Sequence, residues 1–172
     1  LAYGSAACKV LRDHDTLQCK TEPGVGMNFG WLLTVASQDS TRWIAQSNVT
    51  RYKTPVLTGI RGAAFDMSTK GAEEFYLEGD YFGPATSTGT SNDEGYQNNV
   101  LVEYGRDGCH WFQTPHCVIA KAQVAVLCKT QPGAGHSFSY RITIANQTSV
   151  IKPGQGDFMG NYAPPVLFSL RP

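Results

Sequence analysis

Apolar and polar residues alternate over short stretches of this 172-residue chain with a period of two, and the 3.6-residue period of a helix is absent. The clearest case is Phe138, Tyr140, Ile142 and Ile144, separated by Ser139, Arg141 and Thr143, as expected of a strand with one buried face. Residues 28–35 predict a second strand of this kind, and residues 75–84 one that ends in a turn. Residues 55–60 predict another, whose leading Pro55 is tolerated at a strand's first residue or at a sheet edge. Residues 100–104 add one more, and residues 1–6 read as the end of its counterpart. Between these lie a polar stretch at 36–54, a loop at 61–72, a Ser/Thr/Gly-rich loop or insertion at 85–99, and an insertion at 105–115 around Cys109. Short strands at roughly 8–12-residue spacing with Gly/Pro turns predict an all-β sandwich.

The pattern repeats. Residues 7–40 align without a gap on residues 116–149, about 109 positions later. Cys8 and Cys19 match Cys117 and Cys128, Lys20-Thr21 matches Lys129-Thr130, and Pro-Gly-x-Gly falls at Pro23 and again at Pro132. Phe29, Thr34, Ala36, Gln38 and Ser40 recur as Phe138, Thr143, Ala145, Gln147 and Ser149. With one residue of slack, Tyr52 matches Tyr162 and Pro55-Val56-Leu57 matches Pro165-Val166-Leu167.

The cysteines bear on the compartment. If residues 8–11 and 16–19 form an antiparallel hairpin, Cys8 faces Cys19 and Val10 faces Leu17, the close pairing a disulfide needs. The second copy predicts Cys117 opposite Cys128 and Ile119 opposite Val126. Each bridge is worth about 2–3 kcal/mol in the chain-entropy model. A metal site is the rival, but neither pair has the Cys-x-x-Cys spacing such sites favour. Two cystines imply an oxidising compartment, hence a secreted, extracellular or cell-surface protein. Cys109 has no counterpart in the first copy, leaving open a free thiol, a bridge to another segment or a bridge between chains.

Taken together, Pro55-Val56-Leu57, the run Phe75-Tyr76-Leu77-Glu78-Gly79-Asp80-Tyr81-Phe82-Gly83, Val102-Glu103-Tyr104-Gly105, the Cys117–Cys128 hairpin with Pro132-Gly133-Ala134-Gly135, and Tyr162-Ala163-Pro164-Pro165 resemble an IPT/TIG domain. The resemblance spans nearly the whole chain, and the loops at 61–72 and 85–99 depart from it. It implies tandem immunoglobulin-like sandwiches, of the kind found in receptors and large surface proteins. Its frame implies the C-terminal part of a first unit at residues 1–54, a complete unit at 55–163, and a further first strand at 164–172. The expectation is then either a window on a longer tandem array or an incomplete first unit completed in trans. In the second case Pro165, Val166, Leu167, Phe168 and Leu170 form the donor strand, and head-to-tail contacts build a filament. An atypical closed first domain is the third possibility. The start at Leu1, with neither Met nor a charged leader, reads as a piece of a longer or processed polypeptide.

Charge and composition narrow the partners. The formal net charge is zero, with Lys and Arg scattered among acids, which argues against nucleic acid as a partner. No apolar run reaches the roughly 18 residues that span a bilayer, so direct membrane insertion is not expected. Of His14, His110, His116 and His136, the first lies among Arg12, Asp13 and Asp15 and reads as a solvated hairpin tip, while His110 and His116 lack an orienting carboxylate nearby in sequence and a paired Cys117 cannot act as nucleophile, so no catalytic residues are assigned. Asp66, Glu73, Glu74, Asp80, Asp93 and Glu94 lack ordered calcium-loop spacing, so no metal or cofactor is expected. Trp31, Trp43, Tyr81, Phe82 and Trp111 are candidates for a sugar-stacking groove, though in a sandwich such rings are more often core or cover. Asn48-Val49-Thr50 and Asn146-Gln147-Thr148 are N-glycosylation sequons, and Thr86, Ser87, Thr88, Thr90 and Ser91 are candidates for O-linked sugars. The expected protein is a non-enzymatic glycosylated module of an extracellular filament, sheath or surface array that associates with itself. A receptor ectodomain or carbohydrate-binding adhesion module is the alternative.

Overall fold

The computed structural model describes residues 5–40, 50–85, 100–106, 112–114, 117–150 and 159–169. Asn48, Trp43, Thr86, Ser87, Thr88, Thr90, Ser91, Asp93, Glu94, Cys109, His110, Trp111, His116 and Leu170 lie outside them. The described chain is all-β apart from one turn of 3-10 helix at Ala63–Phe65, and contains no α-helix. In order the strands are β1 (Ser5–Arg12), β2 (Thr16–Thr21), β3 (Thr34–Val35), β4 (Gln38–Asp39), β5 (Val56–Gly62), β6 (Glu74–Asp80), β7 (Val100–Gly105), β8 (Phe112–Thr114), β9 (Val118–Lys121), β10 (Ala125–Lys129), β11 (Ser139–Ile144) and β12 (Gln147–Val150).

The last eight strands make two four-stranded antiparallel sheets, ordered β5-β6-β10-β9 and β12-β11-β7-β8. Alternation decides which side chains enter between them. Phe75 and Leu77 on β6 and Tyr140, Ile142 and Ile144 on β11 are buried in one cluster with Val102, Ile119 and Val126, so both sheets feed one core, as in a β-sandwich. The outward residues Arg61 and Glu78 pair across β5 and β6 at 2.6 Å in water. On the other sheet Arg141 and Gln113 both bind the carboxylate of the buried Glu103, at 2.6 and 2.9 Å. That carboxylate is thus satisfied where an unpaired one would be costly.

One end of the core is aromatic. Tyr104 stacks on Phe112 with centroids 5.0 Å apart and on Tyr140 at 5.3 Å, while Phe138 meets Tyr104, Phe112 and Tyr162 edge-on. Three groups there close a ring of hydrogen bonds. The Gln131 N–H donates to the Tyr104 oxygen at 3.0 Å, the Tyr104 and Tyr162 hydroxyls lie 3.0 Å apart, and the Tyr162 O–H donates to the Gln131 carbonyl at 2.6 Å. The Tyr140 hydroxyl, by contrast, has no partner among the described residues.

The structure departs from the sequence expectation in three places. Residues 28–35 shrink to the two-residue β3, because no described strand flanks β3 as β7 flanks β11, and it pairs only with β4. The insertion at 105–115 contains β8, an edge strand on β7. The expected loop at 61–72 carries the 3-10 turn and the fully buried Met67, whose N–H and C=O bond to Asn161 and Ala163.

Two outcomes follow. Tyr140→Phe removes a buried hydroxyl that has no partner among the described residues and should raise stability by roughly 1 kcal/mol, whereas Tyr162→Phe opens the hydrogen-bonded ring and should lower it by roughly 1–3 kcal/mol, read as opposite shifts of the urea midpoint. Burial raises the pKa of Tyr104, Tyr140 and Tyr162 above the ordinary value of 10.0. The unfolded chain therefore releases these protons first. The stability they confer is complete below about pH 10 and is lost as pH rises from there toward the folded values, at up to about 1.4 kcal/mol per unit for each tyrosine. Urea midpoints from neutral pH upward should be flat and then fall above about pH 10.

Candidate functional site

The same cystine hairpin occurs in two surroundings. In β1–β2 Cys8 lies opposite Cys19 and Val10 opposite Leu17, and in β9–β10 Val126 lies opposite Ile119. Both disulfides are formed, Cys8–Cys19 and Cys117–Cys128. The second hairpin is roofed by the other sheet and paired to β6, and Ile119 and Val126 are fully buried. The first has no such cover among the described residues, and its Val10 is 60% and Leu17 40% exposed. Val35 is 58% exposed where its counterpart Ile144 is buried completely.

The backbone repeats as well. Positive φ occurs at His14, Gly26, Asn28, Ala36 and Ser37, and again at the matching Gln123, Gly135, Ser137, Ala145 and Asn146. The Tyr52 N–H donates to the Gly26 carbonyl and the Tyr162 N–H to the Gly135 carbonyl, both at 2.9 Å. The Tyr52 hydroxyl donates to the Glu22 carbonyl at 2.5 Å just as that of Tyr162 donates to Gln131. Each glycine loop is thus folded against its own tyrosine.

Between the copies lies a joint. The first copy's loop at 23–26 sits on the turn between β11 and β12, with Gly24, Val25 and Gly26 buried and Val25 entering the sandwich's core cluster. That turn is a two-residue hairpin loop with Ala145 at φ 46° and Asn146 at φ 65°, which aims the next side chain, Gln147, at the loop. The Gly26 N–H donates to Gln147 Oε1 and Gln147 Nε2 donates to the Tyr52 carbonyl, both at 3.0 Å. An amide, with one acceptor and one donor on a single planar group, matches that backbone pair. Gly26 is required twice over: its φ is +108°, and a Cβ there would lie 3.3 Å from the Ala145 Cβ. Gln147 is only 4% exposed, so the bonds it makes are shielded from water.

Apart from Asn146, which sits in the joint's own turn, the residues singled out in the sequence fall elsewhere. His14 is exposed in the β1–β2 turn, and exposed His136 lies 2.9 Å from the Ser137 hydroxyl. Asp66, Glu74 and Asp80 are exposed, Glu73 accepts from the Ser68 N–H, and no group of three or more His, Cys, Asp or Glu among the described residues is placed to hold a metal ion. Phe82 is core, Tyr81 lies under the Lys53 ammonium, and the Trp31 Nε1–H donates to the Thr50 hydroxyl at 2.6 Å, so the structure does not gather them into one groove. Asn146 is exposed at its turn tip. Pro165, Val166, Leu167 and Phe168 are exposed and outside every ladder, Phe168 at 92%. No described helix is long and apolar enough to cross a membrane. Gln147, Gly26 and Tyr52 were not read as a site from sequence, although the recurrence of Gln38, Gly26 and Tyr52 as Gln147, Gly135 and Tyr162 carried the signal. Comparison with protein-family models, with curated proteins and with solved structures gives no match to this chain.

Gln147→Ala takes away the acceptor of the buried Gly26 N–H and the amide donor to the Tyr52 carbonyl. The expected cost is about 1–3 kcal/mol at the joint, read as faster amide exchange across residues 22–29 while β6, β7 and β11 keep their protection.

Proposed function

We propose that this chain is a structural, non-catalytic module of an extracellular filament, sheath or surface array, built of tandem IPT/TIG-like sandwiches that stack end to end. The joint at Gln147 carries the reading. There a loop, a tyrosine and a turn repeated in sequence bind one copy to the next through buried hydrogen bonds, a means of setting their relative orientation. The strand orders β5-β6-β10-β9 and β12-β11-β7-β8 support the immunoglobulin-like assignment, being the ABED and GFC arrangement with one added edge strand. Two cystines fit an oxidising, extracellular setting. Exposed Asn146 is accessible for an N-linked glycan at a turn tip, where the sugar leaves the buried joint residue Gln147 undisturbed.

The uncovered side chains Val10, Leu17 and Val35 support association rather than independent existence, since their matches in the second copy are core. A contact between the front of one unit and the back of another is heterologous, and repeated without closure it produces a linear assembly. Purified chain should therefore gain mass steadily with concentration in sedimentation velocity and form fibres or rods under the electron microscope. A chain that stays monomeric and is retained by defined glycans on an array would instead support the adhesion-module alternative.

A further inference from the structure

The filled joint between the two copies has an unfilled counterpart at each end of the described chain. At one end, Gly135 and Tyr162 occupy the places of Gly26 and Tyr52, with the same loop-to-tyrosine hydrogen bond and the same glycine conformation, φ +125° against +108°. Among the described residues no hydrogen bond reaches the Gly135 N–H or the Tyr162 carbonyl. They border an open cleft of about 850 Å³ lined in part by Ala134, His136, Pro165 and Val166. At the other end, Ala36, Ser37 and Gln38 occupy the places of Ala145, Asn146 and Gln147. Ala36 and Ser37 have φ 48° and 64°, the same two-residue turn, so Gln38 leaves it in the same direction. Gln38 is exposed where Gln147 is buried.

We infer that the Gly135–Tyr162 cleft receives the Ala36–Gln38 turn of a second copy of this chain, with the Gln38 amide bridging the Gly135 N–H and the Tyr162 carbonyl. This deepens the proposed assembly reading and rests on it. Every polar group of the filled joint has its duplicate in the two free halves, and both close-packed small residues are kept, Gly135 for Gly26 and Ala36 for Ala145. In the loop Ala134 stands for Val25, which makes the free joint less apolar, and at the turn tip Ser37 stands for Asn146. Its geometry also gives the exposed segment at 165–168 a course. Pro55-Val56-Leu57 runs on from the filled joint into β5, so the matching Pro165-Val166-Leu167 runs on from the free one along the neighbouring copy, over side chains such as Leu33 and Val35 that are open to water.

Within a chain the joint closes at the millimolar effective concentration of a short tether, whereas between chains it must form from free solution. The contact is accordingly expected to be weak, and sedimentation is followed to about 1 mM. Gln38→Ala removes the amide and Ala134→Arg fills the cleft, and both side chains are exposed, so neither change disturbs the fold. Each variant alone should stay monomeric, with association weakened about tenfold or more. An equimolar mixture should stop at dimers, because one variant keeps only a working cleft and the other only a working turn. Wild-type growth that both variants leave intact, or a mixture that grows past dimers, overturns this contact while leaving assembly through another surface standing. A wild-type chain that is monomeric throughout overturns assembly and contact together.

Discussion

A β-hairpin with one apolar face needs a second sheet over that face, and the rest of this structure turns on whether it has one. The chain performs the comparison internally. Val10 and Leu17 occupy the same register positions as Ile119 and Val126, across the same kind of cystine, yet the first pair faces water and the second lies in a sealed core. At roughly 25 cal/mol per Å² of buried apolar surface, the difference per side chain is on the order of 1–3 kcal/mol. The Cys8–Cys19 bridge keeps the first hairpin closed without that contribution by limiting the freedom of its unfolded state.

The second requirement is polar. A glycine loop that turns with φ above +100° presents backbone groups that the loop itself cannot pair, and burying them against another unit demands a partner for each. Tyr52 and Tyr162 take one group in each copy. Gln147 takes the remaining pair at the filled joint. Because donor and acceptor sit on one rigid amide, the bond pair restricts both the distance and the rotation of one copy against the other. This is how a contact can orient units at little cost in area.

These two requirements make the proposed assembly economical. Apolar surface lacking cover and polar groups lacking partners are found at opposite ends of the described chain, and in matched forms. Such a distribution favours contacts between front and back over contacts between like faces, and the product of repetition is a line rather than a closed dimer. The two disulfides fit an oxidising setting such as the outside of a cell.

The internal repeat, the strands β6, β7 and β11, and the partners of Cys8 and Cys117 were legible in the residues, because short apolar runs and cysteine spacing are local and a duplicated pattern can be counted. The β8 edge strand and the brevity of β3 were not, since both depend on whether a neighbouring strand is present to pair with. The joint was half legible: Gly26, Gln38 and Tyr52 and their matches were visible as recurrences, but nothing in their spacing said that Gln147 of one copy would reach Gly26 and Tyr52 of the other. Sequence by itself therefore determined the all-β class and the repeating unit, both written in patterns a few residues long. Tertiary structure decided which of two matching hairpins is core and which glutamine is buried, because burial is a property of what lies across the gap and not of the strand that faces it.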